Sequence, residues 1–330
     1  MPDNDLAIVP GSIVRKILDG NEDLVLRAVT EAYLAHGRGQ TKTPGTQPLY
    51  TNGGRFFAMP ASLDDARPIV GAKWVASFVA NVASGGERAS ALLIASDAAT
   101  GRPIAIVDGT LISAKRTAAG AAVALRLVAG PDSVRSVALV GCGPINFEVF
   151  RFIAHLFRVD TVFLVDTQPA RTEAFAARVQ AEFPSVSAVA ATLEEVLQSA
   201  DVVSIATNAT VPHIQELPQR PFTILHLSLR DLAPEAIAGC YNIVDDIEHA
   251  CTARTSLHLA TDAAGHREFI RGTIPDLLSG ALHYERPDVP TVVSPFGLAI
   301  LDLAVLREVL ARIDGHPEIT HVADFRGGVW

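Results

Sequence analysis

Ser136-Val137-Ala138-Leu139-Val140 runs straight into Gly141-Cys142-Gly143-Pro144, and no other junction in the chain so narrows what it can become. An unbroken apolar strand is predicted to be covered on both faces, as strands of a parallel sheet flanked by helices are. The pattern downstream agrees. Helical stretches are expected at 144–157, 170–182 and 193–199, alternating with strands at 161–165, 202–206, 223–227 and 242–244. The fold class read from this alternation is α/β, a Rossmann-type doubly wound parallel sheet, beginning near residue 119 and running to about 302.

The front of the chain has a different grammar. Residues 11–36 read as one or two amphipathic helices, with Ile13, Ile17, Leu24, Val25, Ala28 and Val29 at helical spacing. Residues 41–54, rich in Gly, Pro, Thr and Asn, read as loop and turns. Short strands follow at 55–58, 69–75, 91–96 and 103–108, so this part is expected to be α+β with an antiparallel or mixed sheet. An Ala-rich helix at 117–129 closes it, and a last helix at about 303–313 is expected to pack back on it, giving a first domain of 1–118 rejoined by about 303–330.

Of 330 residues, 49% are hydrophobic and 19% charged, enough for a large core and against disorder. The net charge of −9 repels phosphate backbones, which argues against nucleic acid as a partner, so an anionic substrate needs locally placed cations. Cys142, Cys240 and Cys251 form neither a disulfide framework nor a metal-type cluster, and their sparse, odd count fits a reducing cytoplasm; no metal is expected. The acidic start, Met1-Pro2-Asp3-Asn4-Asp5, lacks a signal-peptide pattern, and no apolar stretch reaches the roughly 20 residues that span a bilayer.

The glycine junction also suggests a ligand. Gly141 and Gly143 permit a tight turn and close approach of a pyrophosphate, while the helix opening at Pro144 and Ile145 offers unpaired N–H groups to that anion. Asn146 stands where a third glycine is usual, so helix and strand are expected to sit slightly wider apart. Asp166 ends the next strand, 166 − 143 = 23 residues on, where a carboxylate accepts ribose hydroxyls. It would repel a 2′-phosphate, and no Arg directly follows it, so NAD is favoured over NADP. A purely structural turn, with Asp166 as the cap of a helix at 170, is the weaker alternative.

Charged groups beside apolar runs are the candidates for chemistry. Lys73 is the lone charge in Ile69-Val70-Gly71-Ala72-Lys73-Trp74-Val75; in isolation it reads as an edge-strand lysine with its head in water. Arg88 follows Glu87, with which it would make a surface pair of little energetic value. Arg116 is expected near the start of the Ala-rich helix, where the dipole disfavours a cation unless it pairs with an anion. Asp231 follows the strand at 223–227 as a general base or as a cap for a helix near Pro234. Oxidising an amine-bearing carbon needs a clamped carboxylate and a base, and an Arg, a Lys and an Asp converging on a nicotinamide would supply both.

Lys73-Trp74-Val75, Ser113-Ala114-Lys115-Arg116-Thr117-Ala118-Ala119, Gly141-Cys142-Gly143, Ser228-Leu229-Arg230-Asp231 and Ser294-Pro295-Phe296-Gly297-Leu298-Ala299-Ile300-Leu301-Asp302 together resemble the ornithine cyclodeaminase/mu-crystallin family across nearly the whole chain. Within it, Glu87-Arg88-Ala89-Ser90 and Ile112–Ala119 resemble the branch of dehydrogenases that oxidise an amino-acid adduct of glutamate with NAD on the way to 2,3-diaminopropionate, in siderophore and peptide-antibiotic pathways. The resemblance implies Lys73 and Asp231 as catalytic residues and Arg116, Arg88 and, less directly, Arg55 as substrate carboxylate ligands. It implies Gly141, Gly143, Pro144, Ile145, Asp166, Thr207, Asn208 and Ser294 at the cofactor. It also implies a homodimer whose first domain binds substrate and makes the dimer contact. Ornithine cyclodeamination, imine reduction and a non-catalytic crystallin-type ligand-binding role are the other activities the resemblance allows.

Overall fold

The computed structural model of the protein describes residues 5–325; the opening Met1-Pro2-Asp3-Asn4 and the final 326–330 of the returning segment lie outside the described residues. The chain divides into two compact units, Met1–Arg116 with Leu298–Trp330, and Thr117–Gly297.

The first unit is built on a mixed sheet of β1 (Leu6–Val9), β2 (Thr41–Lys42), β3 (Gln47–Thr51), β4 (Gly54–Leu63), β5 (Ile69–Ser77), β6 (Ala89–Ser96), β7 (Pro103–Asp108) and the late strand Thr320–Val322. β1 runs parallel to β7, whereas β7, β6, β5 and β4 are antiparallel neighbours. Register sorts the side chains by face. Lys73 lies opposite Met59 and Leu93, and Leu93 opposite Val107, in a row that faces the core. The next row, Ile8, Ile106, Ile94 and Ala72, turns the other way, with Ile8 and Ile94 exposed. The helix Ala299–Leu310 packs on β4 and β5 of the core face, and the helix Glu22–Gly37 packs against it. Gly71 belongs to that face, where an added Cβ would lie 2.9 Å from the Leu303 side chain and 2.2 Å from the Ile94 carbonyl oxygen. Glycine there lets the late helix press against the sheet.

Three expectations change. The stretch 41–54 is not all loop, because β2 and β3 lie within it. β3 is exposed at all five residues and is held by backbone pairing to β4, so it has no buried face to imprint a period-two pattern. The Ala-rich helix starts at Thr110 rather than 117, after Asp108, whose carboxylate accepts the Thr110 N–H at 2.9 Å. Arg116 is therefore in the second turn, not at the helix start where the dipole argument placed it. The last long helix spans Ala299–Leu310, earlier than 303–313, and is buried along nearly its whole circumference.

The second unit is an α/β, doubly wound Rossmann-type sheet. Its strands are β8 (Ser136–Val140), β9 (Thr161–Val165), β10 (Ser187–Ala190), β11 (Val202–Ile205), β12 (Thr223–His226), β13 (Tyr241–Val244), β14 (Ile270–Thr273) and β15 (Thr291–Ser294), in the order β10-β9-β8-β11-β12-β15-β13-β14. All these pairings are parallel. The chain winds outward from β8 in both directions, so the switch point lies between the carboxyl ends of β8 and β11, where such sheets bind ligands. Among the described residues, no helix is long and apolar enough to cross a membrane.

Asn146 fills the position expected to hold a third glycine. It is fully buried, and its amide nitrogen donates to the carbonyls of Val140 at 2.9 Å and Gly141 at 2.8 Å. Its amide oxygen accepts the Ser204 hydroxyl at 2.7 Å, tying β8, the loop after it, and β11 together. Asn146→Ala leaves the buried Ser204 hydroxyl without its acceptor and removes a donor from the Val140 and Gly141 carbonyls, and should cost about 2–4 kcal/mol of unfolding free energy, read by denaturant titration. A loss below about 0.5 kcal/mol would show that the bracket is dispensable.

Candidate functional site

In the first unit, Lys73 sits on a central strand and is 3% exposed, not an edge lysine reaching water. Its ammonium donates to Asp302 at 2.8 Å and lies 3.4 Å from the Ser113 hydroxyl. The other oxygen of Asp302 accepts the Arg116 Nε–H at 3.2 Å. Asp302 is fully buried; burial pushes its pKa up, but Arg116 and Lys73 outweigh this and hold it below the usual carboxylate range. Lys73 is pushed down to about 8, by burial first and by the Arg116 charge second, against the opposing pull of Asp302. The three groups sum to 1 + 1 − 1 = +1, a buried excess of positive charge that favours an anion. Arg116 is anchored to Asp302 through Nε. Lys115, next along the helix and fully buried, instead pairs with Asp19 at 3.1 Å and lies 3.8 Å from Glu22.

Asp302 was the residue sequence reasoning passed over. The signal was present: a single acid in Ala299-Ile300-Leu301-Asp302-Leu303-Ala304, a helix apolar on every side, must find a cation.

Arg55 and Arg88 form a second cationic feature of the same unit. Arg55 opposes Ser77 in the β4–β5 register and so lies on the Lys73 face, four residues along the strand and roughly 13 Å away. Its guanidinium stacks over Phe57 at 5.3 Å. Arg88 immediately precedes β6, and its pKa is lowered by burial and then by the nearby charge of Arg55. The pair repel each other, and among the described residues neither is bridged to a carboxylate; the expected ion pair of Arg88 with Glu87 does not form.

In the second unit, Gly141 adopts φ +94, and a Cβ there would meet the Ala206 carbonyl oxygen at 2.5 Å. Only glycine makes this turn without strain. Gly143 caps the helix Pro144–Leu156 without a side-chain bond, and the nearest atom to a Cβ built on it is Arg171 Nη2 at 3.8 Å. The space before it is open, and the N–H groups of the first helical turn around Ile145 are uncapped. A dinucleotide pyrophosphate fits such a cradle. Asp166 accepts the Cys142 N–H at 2.8 Å through one oxygen and the Gln168 N–H at 3.0 Å through the other, so it shapes the loop. It does not cap the following helix, whose cap is Gln168. The Cys142 thiol is pushed up to about 11 by burial and then by Asp166, and is unreactive.

Asp231 is also fully buried. Thr207 Oγ1 donates to one carboxylate oxygen, Ser228 Oγ donates to the other, and His226 Nε2 lies 3.3 Å from the latter. Burial pushes the Asp231 pKa up, yet the hydrogen bond and charge of His226, then Ser228 and Thr207, hold it low. His213, partly exposed, brings Nδ1 to 3.8 Å of Asp231. Asp231 does not cap the short helix after it, whose cap is Ala233. Ser294 is buried with its hydroxyl 3.5 Å from His226 Nδ1, while Asn208 is exposed and Thr207 half-buried. Of the partners of Asp231, His213 and His226 carry no local mark in the sequence, and Ser228 enters it only within Ser228-Leu229-Arg230-Asp231.

Thus Lys73 and Arg116 are brought together in one unit, with Arg55 and Arg88 as a separate pair, and the loop glycines, Asp166, Thr207, Asp231 and Ser294 belong to the other. Among the described residues, no group of three or more His, Cys, Asp or Glu is placed to hold a metal ion.

The ornithine cyclodeaminase/mu-crystallin family model matches residues 20–217. The chain is 27% identical over 299 residues to the N-((2S)-2-amino-2-carboxyethyl)-L-glutamate dehydrogenase of Staphylococcus aureus, covering 86% of this chain and 89% of that protein. The crystal structure of CmnK superposes with a TM-score of 0.87 at 26% identity, covering 99% of this chain and 100% of the other. Thermococcus litoralis Delta(1)-pyrroline-2-carboxylate reductase, solved with NADH and L-proline, shares the fold with a TM-score of 0.86 at 20% identity, over 92% and 96% of the two chains. The chain belongs to the ornithine cyclodeaminase/mu-crystallin family.

The Lys73 ammonium should lose its proton as pH rises through about 8. Asp302 helps to retain that proton, so Asp302→Asn should move the titration to lower pH, observed by NMR of side-chain-labelled lysine. A midpoint that stays put in the variant would mean Asp302 does not set the charge of Lys73.

Proposed function

We propose that this member of the ornithine cyclodeaminase/mu-crystallin family is an NAD-dependent dehydrogenase acting on the secondary amine of N-((2S)-2-amino-2-carboxyethyl)-L-glutamate, with hydrolysis of the resulting imine to L-2,3-diaminopropionate and 2-oxoglutarate. Its relatives act on amino acids or cyclic imino acids, as the Staphylococcus aureus dehydrogenase and the Thermococcus reductase indicate. The observation that carries the choice of substrate is the Arg55–Arg88 pair on the sheet that also holds Lys73. Two unbridged guanidiniums favour a substrate with more than one carboxylate. They would repel the second ammonium of ornithine, and would be unused by pyrroline-2-carboxylate.

Arg116, fixed through Nε by Asp302, offers its terminal nitrogens to a substrate carboxylate as a bidentate clamp. Arg88 and Arg55 take the remaining carboxylates. Lys73, titrating at about 8, can hold or release a proton near neutral pH. Asp231, kept ionised by Thr207, Ser228 and His226, is a proton acceptor for the amine or for the water that opens the imine. NAD, held by Gly141, Gly143, Pro144, Ile145 and Asp166, with Thr207, Asn208 and Ser294 as further cofactor residues, supplies the hydride acceptor when bound. Atoms balance: a hydride and a proton leave the substrate, and one water is added across the C=N bond. Three buried, unpaired cysteines suit a cytoplasmic enzyme.

The purified protein with NAD should accumulate NADH on addition of the glutamate adduct. Ammonia without NADH from ornithine would establish a cyclodeaminase instead, and NADH consumption confined to cyclic imines an imine reductase. Binding of NAD with no turnover of any of these would make it a crystallin-type binding protein. Arg116→Lys should raise KM for the adduct at least about tenfold, because an ammonium cannot reproduce the bidentate geometry; unchanged kinetics would remove Arg116 from the site.

The same sheet supports a homodimer. Its outer face exposes Ile8, Leu92, Ile94, Val70 and Trp74, at 36–41%, as one apolar surface. Ile94→Glu should therefore yield monomers by sedimentation velocity, whereas an unaltered dimer would place the contact elsewhere.

A further inference from the structure

Arg171 lies beside the glycine loop without a committed partner. It belongs to the first turn of the helix Pro169–Glu182, and its Nε is 3.8 Å from Asp166 Oδ2, an ion-pair distance too long for a hydrogen bond. Its side chain is 37% exposed, while the Asp166 side chain is 8% exposed. The other end of the guanidinium, Nη2, is 3.8 Å from where a Gly143 Cβ would stand. Among the described residues no acceptor lies within hydrogen-bond distance of this side chain. Thr167-Gln168-Pro169 directly follow Asp166, and the helix returns an arginine from five residues on.

We infer that Arg171 and Asp166 together set the choice between the two nicotinamide dinucleotides, with Arg171 a phosphate-binding cation that Asp166 holds in check. This rests on the dinucleotide reading of the loop. A carboxylate in that position accepts ribose hydroxyls and repels a 2′-phosphate, as it does in NAD-selective folds. Here the same carboxylate also offsets the guanidinium beside it. Both effects favour the unphosphorylated cofactor. Removing the carboxylate's charge therefore does two things at once: it ends the repulsion and frees a planar, five-donor cation beside the vacated position. Asparagine keeps an amide oxygen for the Cys142 N–H and gives up the bond from the Gln168 N–H, so the loop retains one of its two anchors.

The test is equilibrium binding of NADH and NADPH to the full chain, read by nicotinamide fluorescence and independent of any substrate. The wild type should bind NADH at least tenfold more tightly than NADPH. Asp166→Asn should weaken NADH several-fold and tighten NADPH at least tenfold. Adding Arg171→Ala to that variant should abolish the NADPH gain, while Arg171→Lys should retain part of it. An Asp166→Asn protein with no NADPH gain, or a double variant that keeps the gain, overturns the inference while leaving the dinucleotide site in place. A wild type that binds neither nucleotide overturns both. Asp166→Ser, run in parallel with thermal melts, guards against a folding defect in the first variant.

Discussion

Asp302 brings one negative charge into a place where Lys73 and Arg116 bring two positive ones, and all three are almost fully withdrawn from water. Desolvating three charges is expensive, and attraction within the group repays it only if the geometry is good. The geometry is good: each carboxylate oxygen has its own cation. Yet the group is not neutral. A fold seeking stability alone would have matched the charges or replaced them with packed apolar side chains. The surplus positive charge makes the cluster favourable to a further anion.

Asp231 is the converse arrangement. Its carboxylate is surrounded by hydroxyl and imidazole groups rather than by Lys or Arg, so its charge is stabilised by dipoles and hydrogen bonds. Such a group remains ionised without being cancelled. The bonds that keep it ionised also lower its affinity for protons, so it holds negative charge at the site across the neutral pH range. His213, the partner with solvent exposure, gives the buried acid a neighbour that can exchange protons with water.

The parts legible in the sequence were those whose signals are local. The apolar run of β8, the glycines after it and Asp166 lie within one strand–turn–helix–strand passage, and each leaves its mark on neighbouring residues. The pairing of Lys73 with Asp302 spans 229 positions, and no local pattern encodes which acid a buried lysine will meet. β3 escaped notice because all its residues are exposed, leaving only backbone pairing to define it. The start of the long helix at Thr110 was hidden by Ser113, Lys115 and Arg116, whose polarity resembles a loop until their buried partners are known. Asn146 was read as a departure from a glycine pattern, when its amide does the work of joining two strands that a third glycine would leave to close packing alone.

With a net charge of −9, the chain would meet the proposed polyanionic substrate with a conflict between its overall field and its site. Screening limits the conflict, since the Debye length is about 8 Å at physiological salt and distant surface carboxylates are hardly felt. What remains is decided at short range, where Arg116 sits beside an acid already paired with Lys73, and where burial and then the charge of Arg55 lower the pKa of Arg88. A carboxylate placed between these two arginines, as the proposed substrate would place one, would offset their repulsion, and a second ammonium would add to it.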